Sequence, residues 1–211
     1  FSAGIDITMF MSDMSLNENL SSTPQERREL MDLVERMQSA FTTIAKSKVP
    51  TIALAHGFCI GGATSLVSAC DIRLATKDAK FSIGETKLGL VADVGVIQRM
   101  PKIVSSGDMN ELALTGRVFD GEHAERIRFV SKVYENSDEL FEAGEKLANE
   151  ISSNSKRIVQ ATKQALEKSS NLTVDQGLEY AKLWSTSFLV SEDLREGVMA
   201  FLEKRDPKFN E

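Results

Sequence analysis

The residues best suited to chemistry lie in GETKLGLVADVG, residues 84–95, where Glu85 and Asp93 stand among small and apolar neighbours with Lys87 as the only basic residue. Carboxyl groups transfer protons near neutral pH when burial raises their pKa, and Leu88, Leu90, Val91 and Val94 are expected to bury these two. Blander roles compete. DVGVIQRM can open a helix, which would make Asp93 an N-cap, and Glu85 can be a solvated loop charge. A second candidate is the pair of glycine turns in FSAGID, residues 1–6, and CIGG, residues 59–62. Each leaves backbone N–H groups unencumbered at a strand end. Two such donors aimed at one point make an oxyanion hole, worth on the order of 3 kcal/mol per donor. Gly4, Gly61 and Gly62 serve equally well for tight turns and close helix packing, since neither turn is a dinucleotide fingerprint or a P-loop. A third candidate is FLEKRDPKF, residues 201–209. Lys204 and Arg205 there complement a helix dipole, and a polyphosphate ligand of an acidic chain would need such a cluster.

Other chemistries find little support. His56 and His123 are the only histidines and neither has ligand-like spacing with an acid, so no metal site is expected. His56 reads as a strand-end hydrogen-bonding residue. Cys59 and Cys70 form neither a metal spacing nor a disulfide framework and read as packing residues in a reducing compartment. No G-x-S-x-G elbow is present, which argues against a Ser–His hydrolase.

The elements that must position these residues alternate between helix and strand. SSTPQERRELMDLVERMQSAFTTIAKS opens with a capping box, Thr23 to Glu26, and Pro24 at the first helical position. Leu30, Leu33, Val34, Met37, Phe41 and Ile44 then recur at helical spacing. VPTIALAHG reads as a strand, GFCIGGATSLVSAC as a Gly-rich turn opening a helix, and DIRLA and AKFSI as buried strands, a pattern that predicts an α/β fold with crossover connections. GDMNELALTG and DGEHAERI read as short helices and VSKVY as a last strand. Four capped amphipathic helices are predicted after Ser137. The expected organisation is a core over residues 1–135 and a helical region over 136–211. FSAGIDI resembles the end of a strand with nothing before it to pair with, so the first part of the fold is expected to be missing.

Composition limits the partners. The 211 residues are 42% hydrophobic, enough for one sizeable core, and the net charge of −6 lacks the basic field of a nucleic-acid binder. No apolar run approaches the roughly 18 residues of a membrane span and the start lacks a basic signal-peptide region, so a soluble intracellular protein is expected.

FSAGID, AHGFCIGGATSLVSACDIRLAT, FSIGETKLGLVADVG, ELALTGR and FLEKRDPKF, in this order and spacing, resemble the crotonase superfamily of enoyl-CoA hydratases and isomerases. The resemblance implies repeated ββα units with a C-terminal helical trimerisation region, assembled as homotrimers or homohexamers. It implies an acyl-CoA substrate and no cofactor. By motif position the thioester oxygen would be held by the N–H groups of Ile5 and Gly62, with Ser2, Ala3, Gly4 and Asp6 beside the substrate. Phe201 and Lys204 would contact the adenine and 3′-phosphate of CoA. Hydratases of the family use two glutamates, at the positions of Ser65 and Glu85, and a hydroxyl cannot replace a carboxylate as the base for water. The ADVG run, residues 92–95, instead resembles the dienoyl-CoA isomerase branch, in which an aspartate at Asp93 works with the glutamate at Glu85. That branch usually carries a third acid where Ser65 stands. Arg128 likewise occupies a position more often held by glycine. The resemblance thus implies conversion of a 3,5-dienoyl-CoA to a 2,4-dienoyl-CoA by Asp93 and Glu85. Alternatives are a 3-enoyl to 2-enoyl-CoA isomerase using Glu85 alone, a hydratase-like enzyme, and a non-catalytic homologue that binds RNA or a protein. A mitochondrial or peroxisomal location is implied for a eukaryote, and a cytoplasmic one for a bacterium.

Overall fold

The computed structural model describes residues 1–6, 8 and 23–209, which pack as two compact units: residues 1–47 with 51–142, and residues 48–50 with 143–211.

In the first unit, helix α1, Pro24–Ala45, starts at its predicted cap. The Thr23 hydroxyl accepts the Glu26 N–H at 3.2 Å and the Glu26 carboxylate accepts the Thr23 N–H at 2.6 Å, which satisfies two amides of the helix start. The six predicted apolar residues of α1 are half-buried. Beyond it, strands β1 (Ile52–Ala55), β2 (Phe58–Ile60), β3 (Ile72–Thr76), β4 (Lys80–Ser82), β5 (Phe119–Asp120) and β6 (Lys132–Tyr134) form two small sheets. One has the order β1-β3-β6, all parallel; the other has β2-β4-β5, with β4 parallel to β2 and antiparallel to β5. The crossovers that parallel pairing requires are supplied by α2, Gly62–Ala69, between β2 and β3, and by α4, Ser106–Thr115, and α5, Gly121–Arg126, between β4 and β6. Phe81, Phe119 and Phe129 are buried together, with ring centroids 5.5 Å apart for the first pair and 5.6 Å for Phe81 and Phe129. Cys59 lies fully inside this core, where burial pushes its thiol up to about 12, and Cys70 is half-buried.

Two local expectations are corrected. CIGG is more than a turn: Phe58–Ile60 forms β2 because β4 pairs along it, with Cys59 opposite Phe81. The alternative reading of DVGVIQRM, a helix opening at Asp93, also fails: the helix begins at Val96, as the short α3, Val96–Arg99, with Gly95 at its N-cap and no side-chain cap. Asp93 is therefore not a helix cap. The unusual Arg128 does take the backbone that its position calls for, φ +66°, where glycine would be unstrained.

The second unit is helical: most of α6 (Ser137–Ser152), then α7 (Lys156–Ser169), α8 (Val174–Phe188) and α9 (Glu192–Glu203). Ser155, Thr173 and Ser191 cap the last three by accepting an N–H three residues on. Asp193, buried in the first turn of α9, accepts from Ser155 Oγ at 2.7 Å and from Arg157, and these donors hold its carboxyl below the usual range.

Candidate active site

The site is built at the ends of two parallel strands. Ser2 pairs with β2 as an isolated parallel bridge opposite Cys59: its N–H donates to Phe58 O at 2.7 Å, and the Ile60 N–H donates to Ser2 O at 3.2 Å. Beyond this bridge the 1–6 segment stays against the end of β2 as far as Gly4. Gly4 makes that approach possible, with φ +94° and so little room that a Cβ would stand 2.7 Å from Ile60 O. Gly61, φ +57°, turns β2 into α2, and its N–H is spent on Ser82 O at 2.9 Å. Thr64 Oγ1, fully buried, donates into the same place, 2.7 Å from Cys59 O and 3.0 Å from Ser82 O, and so locks the helix start to both strands. The N–H groups of Ile5 and Gly62 meet no acceptor among the described residues. Ser2, Ala3, Ile5 and Asp6 are exposed, with Gly4 half-buried between them, and Asp6 accepts from the Thr8 hydroxyl at 2.6 Å.

Glu85 sits in a 3-10 turn, Gly84–Leu88, directly after β4. Its main chain is pinned, because Glu85 O accepts the Leu90 N–H at 3.0 Å and the next hydroxyl, Thr86 Oγ1, reaches Ala113 O at 2.8 Å. The side chain folds towards the glycine turn, so that a Cβ on Gly61 would lie 3.5 Å from Glu85 Oε1. Glu85 Oε2 is buried with no hydrogen-bond partner. Burial raises the Glu85 pKa most, and the neighbouring negative charge of Asp93 raises it further. The expected source of that burial is corrected: Leu88, Leu90 and Val91 are exposed at 56%, 43% and 76%, and only Val94 of the four is buried. The half-burial of Glu85 comes from the glycine turn of β2 instead, since a flat strand-to-turn junction with no Cβ at Gly61 lets the carboxyl lie against it.

Asp93 is exposed, on the loop before α3. Gln38 of α1 donates to Asp93 O at 2.6 Å, and Arg99 reaches from α3 to Thr42 Oγ1 of α1 at 3.0 Å. Gln38 and Arg99 thus hold the acidic loop from behind, and neither stood out in the sequence, where each reads as an ordinary polar residue of a helix. Ser65 lies one turn into α2, fully buried, with its hydroxyl unpartnered. Glu85, Asp93 and the two glycine turns therefore share the first unit, whereas Phe201 and Lys204 belong to the second. Phe201 is 82% exposed, and Lys204 ends α9 in the left-handed conformation, φ +55°.

Among the described residues no helix is long and apolar enough to cross a membrane. Comparison with known proteins agrees with this architecture. Residues 1–211 match the family described as enoyl-CoA hydratase/isomerase. The chain is 47% identical over 188 residues to the mitochondrial Delta(3,5)-Delta(2,4)-dienoyl-CoA isomerase of Dictyostelium discoideum, covering 89% of this chain and 64% of that one. It is 39% identical over 209 residues to the peroxisomal enzyme of the same description from Arabidopsis thaliana, covering 99% of this chain and 75% of that one. Among solved structures, a putative enoyl-CoA hydratase/isomerase family protein from Hyphomonas neptunium superposes with a TM-score of 0.85 at 32% identity, over 100% of this chain and 76% of that one. The chain thus spans less than two thirds of the Dictyostelium relative's length. Because the family model matches residues 1–211 of it, the chain belongs to the enoyl-CoA hydratase/isomerase family.

Proposed function

We propose that this chain carries the active site of a dienoyl-CoA isomerase, which shifts the double bonds of a 3,5-dienoyl-CoA to give the 2,4-dienoyl-CoA. The observation that carries this reading is the pairing of unlike carboxyls. Glu85 is half-buried, has an unpartnered oxygen and a raised pKa, and feels the charge of the exposed Asp93. A Glu85 that keeps its proton can serve as the acid while the exposed Asp93 serves as the base. Asp93 removes a proton from C2, and the electrons of that bond pass to the thioester oxygen as a dienolate. The Ile5 and Gly62 amides hold that oxyanion. Protonated Glu85 delivers its proton to C6, leaving double bonds at C2 and C4. Asp93 ends protonated and Glu85 ionised, and exchange with water through the exposed Asp93 restores both. Two acids serve because C2 and C6 lie too far apart for one. The exposed apolar side chains of Leu88, Leu90 and Val91 beside these acids suit a fatty acyl chain. Proton transfers alone complete the cycle, so no cofactor is needed. The two relatives named for this activity support the same substrate class, and their mitochondrial and peroxisomal names support such a location here. Phe201 and Lys204 would hold the adenine and 3′-phosphate of CoA. Exposed Leu178, Leu183 and Val190 in the helical unit suit burial in a homotrimer or homohexamer.

A second reading, 3-enoyl to 2-enoyl isomerisation by Glu85 alone, is favoured by one observation: only Glu85 of the two acids is withdrawn from water. Purified protein offered 3,5-octadienoyl-CoA, 3-octenoyl-CoA and crotonyl-CoA in parallel separates the possibilities. The dienoyl substrate should turn over fastest and hydration of crotonyl-CoA should be slowest, because Ser65 supplies no base for water. Rapid hydration would refute the proposal.

A further inference from the structure

Away from the two acids, the first unit carries a concavity of about 530 Å³ lined chiefly by Lys80, Arg117, Phe119, Asp120, His123 and Arg126. Lys80 opens β4, whereas Glu85 follows its other end, so this concavity and the acidic site belong to opposite ends of the strand. We propose that Lys80, Arg117, His123 and Arg126 form a second anion site that takes a phosphoryl dianion, as inorganic phosphate or as the phosphomonoester of a nucleotide.

Several observations carry it. Lys80 and Asp120 are direct partners across the β4–β5 ladder, yet no ion pair joins them among the described residues, and the Asp120 carboxylate is occupied in accepting the His123 N–H at 2.9 Å. Arg126 Nη2 stands 2.9 Å from His123 Nδ1. A guanidinium can only donate, so Nδ1 accepts and the ring proton is on Nε2, free to donate to an anion. Arg126 has no carboxylate partner among the described residues, and Arg117 pairs only with Glu111, both being exposed. Burial first, and then the charges of Arg126 and Arg117, lower the His123 pKa, against the smaller opposing pull of Asp120 and Asp108, so both arginines act on the imidazole. The buried Phe119 ring forms a rigid floor, its centroid 5.7 Å from that of His123. In a chain of net charge −6 a cationic pocket of this kind is not part of a general basic surface. A phosphoryl group offers three acceptor oxygens, enough for an ammonium, an arginine fork and the imidazole N–H together.

The two histidines of the chain supply the test, because their ring protons can be followed separately by NMR, with His56 as the internal control. Sodium phosphate, adenosine 3′,5′-bisphosphate and sodium chloride of matched ionic strength are titrated in turn. Phosphate should shift His123 saturably and leave His56 in place, and chloride should do neither. Lys80→Gln and Arg126→Gln, both at exposed positions, should each weaken that titration at least about tenfold, the loss expected for one charge-assisted contact. Lys80→Gln is decisive if Arg126→Gln disturbs the His123 ring itself. A clear preference for the bisphosphate would identify the nucleotide source, and equal affinity would identify free phosphate. Equal shifts with chloride, or variants that titrate like the parent, would overturn the proposal. The readout is binding at His123, so it stands or falls independently of the isomerase reading.

Discussion

Gly4→Ala tests the oxyanion hole with the smallest possible change. The new methyl carbon would stand 2.7 Å from the Ile60 carbonyl oxygen, closer than real Cβ atoms come, and the residue would have to hold φ +94°. The left-handed backbone alone costs about 1–2 kcal/mol for an L-residue, and relief of the contact requires the 1–6 segment to move by roughly half an ångström or more. A total loss of about 2 kcal/mol corresponds to a Tm lowered by about 4–8 °C for a chain of this size. The larger effect falls on catalysis. Gly4 sets the position of the next amide, and removal of one oxyanion donor costs about 10²–10³ in kcat. KM should change little, since the amide tightens its bond only as negative charge develops on the thioester oxygen. The assay follows formation of the conjugated 2,4-dienoyl thioester by its ultraviolet absorbance, at a temperature well below the variant's own Tm. A variant whose Tm falls as expected but whose kcat stays within about threefold of the parent would refute the assignment of Ile5 to the hole.

Asp93→Asn keeps the shape of the side chain but removes the proton acceptor, so dienoyl isomerisation should fall by at least about 10²-fold, and Glu85→Gln should fall comparably with the double variant little worse; survival of the dienoyl activity in Asp93→Asn would return the mechanism to Glu85 alone. The parent's rate should fall as pH rises through the raised Glu85 pKa, because the acid must be protonated to donate, and in Asp93→Asn the residual activity should lose this limb at lower pH, since one of the causes raising that pKa has gone. The same group binds its proton more tightly folded than unfolded, so its contribution to stability is complete below the ordinary carboxylate value and is lost as pH rises through the folded one; relative to the parent, Glu85→Gln should therefore melt higher at pH 8 than at pH 4. Arg128→Gly relieves a backbone at φ +66° and should stabilise the fold by about 0.5–1 kcal/mol, read as a rise in the urea midpoint. Lys204→Ala should raise KM for the acyl-CoA several-fold with kcat little changed, and an unchanged KM would leave this lysine as the end of α9 and nothing more.

What the sequence determined by itself was local. The capping box of Thr23 and Glu26, the serine and threonine caps of α7, α8 and α9, and the apolar spacing along each helix depend on residues three and four apart, so they could be read without any partner element. The two acids and the two glycine turns also stood out in the sequence, because carboxyls among apolar residues and glycines at strand ends are visible as residue types whatever surrounds them. Tertiary structure decided the rest. Phe58–Ile60 lies between Gly57 and Gly61, both at positive φ, and reads as a turn; it is a strand only because β4 and Ser2 supply its hydrogen bonds. DVGVIQRM holds a good cap residue at Asp93, but the loop is held by Gln38 from α1, and the helix starts at Val96. The bridge of Ser2 to Cys59, which brings the Gly4 turn against Ile60 at the end of β2, joins segments far apart in the chain and leaves no periodic trace in either. Glu85 is withdrawn from water by the glycine turn of β2, whereas its apolar neighbours Leu88, Leu90 and Val91 face solvent, a placement that depends on the fold and not on their spacing. The raised pKa of Glu85 is a property of that packing, which no stretch of sequence around it contains.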